Sequence, residues 1–422
     1  MAIQPFLKKL HTFIRTEKTF FRNVTFVFSG KVFVAILSLL LTPIIARLFS
    51  PEDYGEFALY NTVVKNLVVV GTLSLPLAIS TVKKSELSKI FNLTITVIIV
   101  FTGLFTVGLF LFFPSLDTLF TTTVFSNYWP ILLLAFTITS IVSTLVALNT
   151  RLQRFKANTK VSVMEATSAK LLNLSGGWMA LNSLGLILSD FISKILSMAF
   201  LIKNLPKEVL FTIPTFSKAK RLLHQFKQIP LFVMPTQWIG TLNNQFIILL
   251  VAFLFAKEDL GKLTLAIGLL GIPLHLLSNT FQPVITERLT TLKENKNTEP
   301  FIKFTLLTLL FISVLVFTPI ILLPTSVFTF VLGNNWEGIH PIITILSVYY
   351  MFLFIDQSFE NGFIINNKQK QIFYFSIIEF ILQVTIIPFA YINHLSLINV
   401  LILIAIVRSL VSVSRIVYLG KI

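Results

Sequence analysis

Residues 90–113 read IFNLTITVIIVFTGLFTVGLFLFF, a stretch without a single charged side chain. About 20 consecutive apolar residues in a helix cross the hydrocarbon core of a bilayer, so this stretch predicts a transmembrane helix. Polar and apolar residues do not alternate with period two, which excludes a strand of a membrane β-barrel. The whole chain shares this character, since 55% of its 422 residues are hydrophobic and only 12% are charged.

Eleven further runs of the same kind predict an all-α integral membrane protein with twelve transmembrane helices. The longest linker, residues 204–228, is basic, contains two prolines and separates the spans six and six. We therefore expect an amphipathic cytoplasmic segment at 1–22, a six-helix bundle at 23–203, a cytoplasmic connector at 204–228 and a second six-helix bundle at 229–422. The predicted spans are residues 23–47, 56–81, 90–113, 129–150, 162–181, 184–203, 229–255, 263–286, 301–323, 339–361, 373–391 and 396–414.

The basic residues predict the orientation of these helices. Of the 34 Lys and Arg residues, 26 fall in the two terminal segments and in alternate linkers, among them Arg415 and Lys421 near the end of the chain. The opposite set of linkers contains three, namely Arg47, Lys257 and Lys262. Because cytoplasmic loops of membrane proteins are enriched in Lys and Arg, both termini are predicted to be cytoplasmic. The net charge of +16 is explained in the same way and does not indicate a nucleic-acid partner.

An internal repeat follows helices 1 and 7 of this prediction. Residues 48–55 read LFSPEDYG and residues 254–261 read LFAKEDLG, so the pattern L-F-x-x-E-D-x-G recurs with an offset of 206 residues. Acidic residues followed by glycine favour a tight turn between two packed helices. Six helices per repeat give both halves the same orientation, which predicts an axis along the membrane normal and a substrate cavity between the halves.

The stretch LTPIIARLFSPEDYGEFA, residues 41–58, resembles the signature of bacterial polysaccharide flippases. These proteins belong to the multidrug/oligosaccharidyl-lipid/polysaccharide exporter superfamily, and the O-antigen, teichuronic acid and exopolysaccharide flippases are its most similar members. Residues 333–336, GNNW, and residues 366–370, NNKQK, are further matches. The resemblance implies a V-shaped pair of six-helix bundles that work by alternating access.

The resemblance also implies the cargo and the place of action. The cargo is a short oligosaccharide on undecaprenyl (pyro)phosphate, moved from the cytoplasmic to the outer leaflet of the bacterial inner membrane. Membrane lipids are expected as partners, polysaccharide polymerase and chain-length proteins are further candidates, and the chain is expected to act as a monomer. The sugar is not specified by any residue.

Charged residues inside the predicted spans are the candidate functional residues, because such residues usually face a wet cavity or a charged partner. In the first half the predicted spans contain four lysines and two carboxylates, Glu165 and Asp190, which gives a net charge of +2. The lysines are predicted to bind the anionic pyrophosphate, and three asparagines are candidates for binding sugar hydroxyls. The alternatives are an ion pair between Asp190 and Lys194, four residues apart, and amides that only bond neighbouring helices. The predicted substrate-binding residues are Lys31, Lys65, Lys170, Lys194, Asn61, Asn243 and Asn244.

In the second half the balance is reversed, with three carboxylates against one arginine. Asp356, Glu360, Glu379 and Arg408 are therefore predicted to bind H⁺ or Na⁺ and to couple transport to an ion gradient. The alternative is that Arg408 pairs with Glu379 or Asp356 as a structural contact, and that Glu360 reaches the interface from near a helix end.

Several other function classes are disfavoured. The chain contains neither a phosphate-binding loop nor histidines at metal-ligand spacing, and it has no cysteine, so we expect no cofactor, no metal and no enzyme activity. A membrane glycosyltransferase would need larger outer loops than those predicted at 114–128 and 324–338. A multidrug exporter or a lipid II-type flippase on the same fold is the main alternative, although the drug branch is expected to carry a carboxylate where Lys31 stands. The turn signature disfavours a nutrient importer.

Overall fold

The computed structural model describes residues 18–120, 122–205, 214–294, 299–366 and 368–420. These residues are almost entirely helical, and no strand occurs among them. Short turns of other helix types occupy Lys84–Glu86, Ile229–Val233 and Asn334–Trp336. The α-helices are α1 (Lys18–Leu48), α2 (Pro51–Gly71), α3 (Leu75–Thr81), α4 (Leu87–Leu119), α5 (Val124–Arg151), α6 (Phe155–Trp178), α7 (Asn182–Lys203), α8 (Phe216–Gln225), α9 (Met234–Leu254), α10 (Lys257–Glu294), α11 (Glu299–Leu322), α12 (Thr325–Leu332), α13 (Ile339–Ile365), α14 (Gln369–Ile392) and α15 (Leu397–Gly420).

Each of the twelve predicted spans coincides with a long helix in this part of the chain, and the all-helical membrane fold is confirmed. Ten of the described helices are long and apolar enough to cross a membrane by length and composition. The two other long helices, α2 and α6, carry four charged residues each, which lowers their hydropathy. The count of twelve spans and the side of the termini therefore stay predictions. Of the predicted segment 1–22, residues 1–17 lie outside the described residues.

Helix boundaries differ from the prediction where local chemistry ends or extends a helix. The span predicted at 56–81 is broken after Gly71, because Leu73 and Ser74 adopt positive φ angles of 50° and 53°. Pro76 then stands in the first turn of α3, where its missing N–H leaves no hydrogen bond unmade.

The two long outer loops that the sequence predicts are mostly helical. Of the stretch predicted as a loop at 114–128, residues 114–119 belong to α4 and residues 124–128 belong to α5. The carboxylate of Asp117 accepts the backbone N–H groups of Phe125 (3.0 Å) and Ser126 (2.9 Å). These are unpaired donors at the start of α5, so Asp117 stabilises that end. The loop predicted at 324–338 holds α12 and a short 3₁₀ turn.

The long helices pack mainly with partners from their own half of the chain. In the first half α6 packs against α1 and α7, and α5 packs against α2 and α4. In the second half α13 lies at the centre and contacts α10, α11 and α15. The halves meet where α2 packs against α9 and α10, and where α1 packs against α10. Following the predicted orientation, we call the side of the bundle on which α2 and α10 begin the outer side.

The two copies of the L-F-x-x-E-D-x-G motif touch each other on the outer side. A Cβ on Gly55 would lie 2.4 Å from the carbonyl oxygen of Lys257, and a Cβ on Gly261 would lie 1.6 Å from that of Pro51. Lys257 is Pro51 shifted by the repeat offset, and Gly261 is Gly55 shifted in the same way, so the contact is reciprocal. Such self-complementary contacts arise at a two-fold axis, as the repeat predicts. Glycine is required at both positions because backbone occupies the place of a side chain.

We expect Gly261→Ala to destabilise the protein, because the new methyl group would meet backbone that cannot rotate away. Overpacking of this kind costs about 1–3 kcal/mol, so the apparent melting temperature in detergent should fall by several degrees. Gly268→Ala in the same helix is the matched control, since no atom lies within 4 Å of the position that its methyl group would take. Equal melting temperatures for the two variants would contradict the close contact.

Candidate functional site

A cavity of about 520 Å³ lies between α1 and α6 of the first half and α10 of the second half. Small and apolar residues form most of its wall. Its polar groups come from both halves, with Lys31 on α1 and with His275 and Asn279 on α10. The side chains of these three residues are exposed rather than packed. The amide of Asn279 donates to the backbone carbonyl of His275 at 2.6 Å, which leaves its oxygen as an acceptor. The cavity therefore presents a cation, an imidazole and an amide oxygen.

One of the predicted lysines, Lys31, lines this cavity, whereas Lys65 on α2 does not. The charges of both lysines act on His275. The side chain of Lys65 is exposed, and it also interacts electrostatically with Lys194 and Asp190. Positive charge from α1 and α2 thus faces α10 across the space between the two halves.

The other predicted lysines have partners inside the first half. Lys194 forms an ion pair with Asp190 at 2.7 Å, which confirms the alternative that their spacing suggested. Lys170 donates a hydrogen bond to the hydroxyl of Thr42 at 3.1 Å and so links α6 to α1. These two lysines do not line the central cavity.

The predicted asparagines are spread over different environments. Asn61 is half-buried on α2, whereas Asn243 is buried in the second half and donates to the carbonyl of Ser376 at 2.8 Å. Asn244 is exposed and lines a small polar pocket in the second half. None of the three lines the central cavity.

A network of buried charges joins α13, α14 and α15 in the second half. Arg415 lies between two carboxylates, 3.1 Å from Asp356 and 2.8 Å from Glu379. Arg408 lies 3.7 Å from Glu379 and donates to the backbone carbonyl of Asn243. The residues Asp356, Glu379 and Arg408 are only 7–8% exposed. The alternative that Arg408 pairs with Glu379 is therefore confirmed.

Arg415 requires a correction, because the charge count placed it in the cytoplasmic C-terminal segment. The helix α15 continues past it to Gly420, and its guanidinium is largely buried. The network contains two arginines and two carboxylates, so its charges balance. The predicted excess of negative charge in this half therefore rests on Glu360, which is exposed and lines the polar pocket of about 190 Å³ beside the network.

The sequence predicts a tight turn at each glycine of the repeated motif, but Gly55 and Gly261 lie inside α2 and α10, so this prediction is wrong. On the outer side the two halves are joined by polar contacts around the N-terminal ends of these two helices. Glu56 accepts from Lys257 at 2.8 Å and from the hydroxyl of Ser183 at 2.6 Å. The indole N–H of Trp336 donates to the carbonyl of Ala46 at 2.7 Å. Arg47 donates to the carbonyls of Phe330 and Val331 at the end of α12, where helix carbonyls lack partners. These contacts close the space between the halves on this side.

The sequence analysis missed His275, Asn279 and Arg415 as candidate functional residues, although the spacing of residues along α10 and α15 indicates them. His275 and Asn279 are one helical turn apart and share a face of α10 with Gly268, Gly271 and Ile272. A stripe of small and polar residues at this spacing in an apolar helix indicates a face turned to a cavity. Arg408 and Arg415 are seven residues apart, which places them two turns apart on the same face of α15. Arg415 was not counted among the charges inside the spans because the last helix was predicted to end at residue 414.

Comparison with known proteins supports these observations. A family model described as polysaccharide biosynthesis protein matches residues 44–341. No curated protein matches the chain significantly.

Three solved structures share the fold. The lipid II flippase MurJ in an inward closed conformation is similar with a TM-score of 0.75 at 17% identity, over 94% of this chain and 87% of that chain. An inward-facing multidrug resistance MATE family transporter of the MOP superfamily has a TM-score of 0.65 at 14% identity, over 93% and 97%. A MOP superfamily transporter from Pyrococcus furiosus has a TM-score of 0.56 at 14% identity, over 94% of each chain. The transporter fold implied by the resemblance is therefore confirmed.

We expect Arg415→Gln to be strongly destabilising, because it would leave Asp356 and Glu379 buried without their shared cation. Breaking one side of a buried ion pair costs about 3–5 kcal/mol, and a large fall in the apparent melting temperature should report it. Arg288→Gln, at an exposed arginine of α10, is the control. Adding Glu379→Gln to Arg415→Gln should recover part of the loss, and an unchanged melting temperature in the single variant would contradict the network.

Proposed function

Because the chain belongs to the polysaccharide biosynthesis protein family, we propose that it is a flippase for lipid-linked oligosaccharides. It moves undecaprenyl-(pyro)phosphate-linked repeat units from the cytoplasmic to the outer leaflet of the bacterial inner membrane. The observation that carries this proposal is the cavity between the halves, in which Lys31 of the first half and His275 of the second both take part. Lys65 of the first half adds positive charge that acts on His275 from outside this lining. The similarity in fold to a flippase supports the proposal of transport.

The charge of the cavity suits a pyrophosphate. An anionic headgroup that leaves the interface loses its hydration and its counterions, and this loss is costly in a medium of low dielectric constant. The ammonium group of Lys31 in the cavity, with added positive charge from Lys65, replaces part of both. Asn279 lines the same cavity, and its amide oxygen can accept a hydrogen bond from a sugar hydroxyl. The same positive charge repels cationic drugs.

The closed outer side supports alternating access. Glu56 with Lys257, and Gly55 with Gly261, hold the two halves together above the cavity. In our proposal these contacts part in the outward-open state, and the two six-helix groups rock about the packed faces of α2 and α9. Thr62 with Gln245 (3.1 Å) and Trp238 with Asn66 (3.2 Å) are polar contacts along that face.

For the coupling ion we propose H⁺ and place it at Asp356 and Glu360. A metal cation needs several oxygen ligands, but both oxygens of Glu379 face guanidinium groups and one oxygen of Asp356 is bonded to Arg415 and Ser412. A proton needs one oxygen. Glu360 lies one helical turn from Asp356 and is exposed in the same pocket, so it can pass a proton inward. Protonation of Asp356 would weaken its bond to Arg415 and loosen α13 from α15.

A lipid II-type flippase is the second candidate, and the fold similarity to MurJ favours it over a multidrug exporter. Lipid II also carries a polyprenyl chain and a pyrophosphate, so Lys31 and Lys65 would serve either cargo. The cargoes differ in the group beyond the phosphates, and a transport assay with both substrates separates them.

We expect Lys31→Ala and Lys65→Ala to reduce flipping of an undecaprenyl-pyrophosphate oligosaccharide in proteoliposomes by about 10- to 100-fold, since each removes a charge-assisted contact. Lys170→Ala should lose much less, because Lys170 bonds to Thr42 outside the cavity. The exposed Lys89 provides an expression-matched control as Lys89→Ala. Undiminished flipping in the first two variants would refute a role for Lys31 and Lys65 in binding the cargo, and selective flipping of lipid II would establish the second candidate.

We expect an imposed pH gradient, and not a Na⁺ gradient, to accelerate flipping by the wild-type protein. Glu360→Gln and Asp356→Asn should abolish this acceleration and leave gradient-independent flipping, because neither residue lines the central cavity. Glu287→Gln, at an exposed carboxylate of α10, should keep the full response. Acceleration by Na⁺ alone would rule out the proton.

A further inference from the structure

A second space lies beside the central cavity, on the outside of the bundle between α1 and α6. This groove has a volume of about 590 Å³, and its walls are chiefly apolar, with Phe26, Phe33, Met164 and Leu171 among them. Phe33 is 49% and Leu171 57% exposed. In a membrane protein such exposed apolar side chains face the lipid chains. The groove is therefore open to the bilayer.

The groove and the central cavity share a wall. Gly30, Thr159 and Val163 line both spaces. A Cβ on Gly30 would lie 2.4 Å from the methyl group of Thr159, so α1 and α6 touch at this point and one layer of residues separates the spaces. Lys31 follows Gly30 and lines the cavity, whereas Lys160 follows Thr159 and lines the groove. A lysine thus stands on each side of the shared wall.

The groove has the length and the polarity of a lipid in one leaflet. From Lys160 to Leu171 the helix rises by about 16 Å, which is about half of the hydrocarbon thickness of a bilayer. The basic end is the predicted cytoplasmic end, and Lys156 adds a second cation there, 5.9 Å from the ring of Phe26. An anionic headgroup at this end and an apolar chain along the groove would match both features.

We propose that this groove holds the polyprenyl chain of the cargo while its sugar occupies the central cavity. The inference rests on the proposed function and extends it to a binding site for the chain. The phosphates would then lie at the cytoplasmic end of the shared wall, between Lys160 and Lys31. With the chain kept in a lipid-like groove, only the polar headgroup has to be enclosed by the protein. A bulk phospholipid lacks a headgroup that would occupy the cavity, so the shared wall favours the cargo.

The test is photo-crosslinking of the full-length protein in nanodiscs with a benzophenone-labelled polyprenyl pyrophosphate. We expect labelled peptides from Phe26–Phe33 and Met164–Leu171, with labelling suppressed by excess undecaprenyl pyrophosphate but not by phosphatidylglycerol. Ser168→Trp and Ser29→Trp fill the groove from opposite walls, and each should lower labelling by about tenfold. Leu104→Trp, at a residue of α4 that is 58% exposed and lies outside the groove, should label normally.

The outcomes separate the two proposals. Suppression by phosphatidylglycerol to the same degree would make the groove a site for bulk lipid and overturn the inference. Labelling of other helices that excess undecaprenyl pyrophosphate suppresses would also overturn the inference but leave the flippase proposal standing. If undecaprenyl pyrophosphate suppressed no labelling anywhere, the result would argue against a polyprenyl cargo, and so against both the groove and the flippase proposal. Each wall of the groove has its own tryptophan variant. If one variant misfolds, which a lowered melting temperature would show, the labelling of the other variant still tests the inference.

Discussion

The rest of the structure depends on the contact between the N-terminal helical turns of α2 and α10 on the outer side. Gly55 and Gly261 allow two backbone segments to meet where any side chain would intervene. That approach brings Glu56 to Lys257 and Tyr54 to Trp336, whose rings are 5.1 Å apart in an edge-on arrangement. The first and second halves are thereby fixed on one side, and the space between α1, α6 and α10 is left as a cavity beneath the contact.

The cost of placing charge in a low-dielectric environment explains how differently the two halves are built. In the second half every charge of the network has a partner, and Arg415 connects three helices through Asp356 and Glu379. Such a network holds helices in a defined arrangement, and it changes when a single proton is added. In the first half Lys31 at the cavity and Lys65 on α2 are left exposed, which is tolerable where water or an anionic ligand reaches them. One half thus provides a cationic surface and the other a balanced set of charges.

The arrangement of the two spaces around α1 joins these properties to a lipid-linked cargo. A polyprenyl pyrophosphate sugar is apolar at one end and highly polar at the other, so no single environment suits it. The cavity lies on one side of the contact between Gly30 and Thr159, and the lipid-facing groove lies on the other. A thin wall between a polar and an apolar space lets the two parts of such a molecule stay in separate environments while the protein changes state.

Much of this architecture was determined by the sequence alone. Uninterrupted apolar runs predict long helices at the observed places, because the bilayer thickness demands that length, and the repeated turn motif predicts the related halves. Helical spacing offered the ion pair of Asp190 with Lys194 as an alternative to the predicted substrate-binding role of Lys194. The position of Arg415, the placement of Lys31 and His275 in one cavity, and the separation of Lys170 from that cavity were decided by the tertiary structure. Periodicity places a residue on a face of its own helix, but which neighbour that face meets depends on how the helices pack, and local sequence does not encode that.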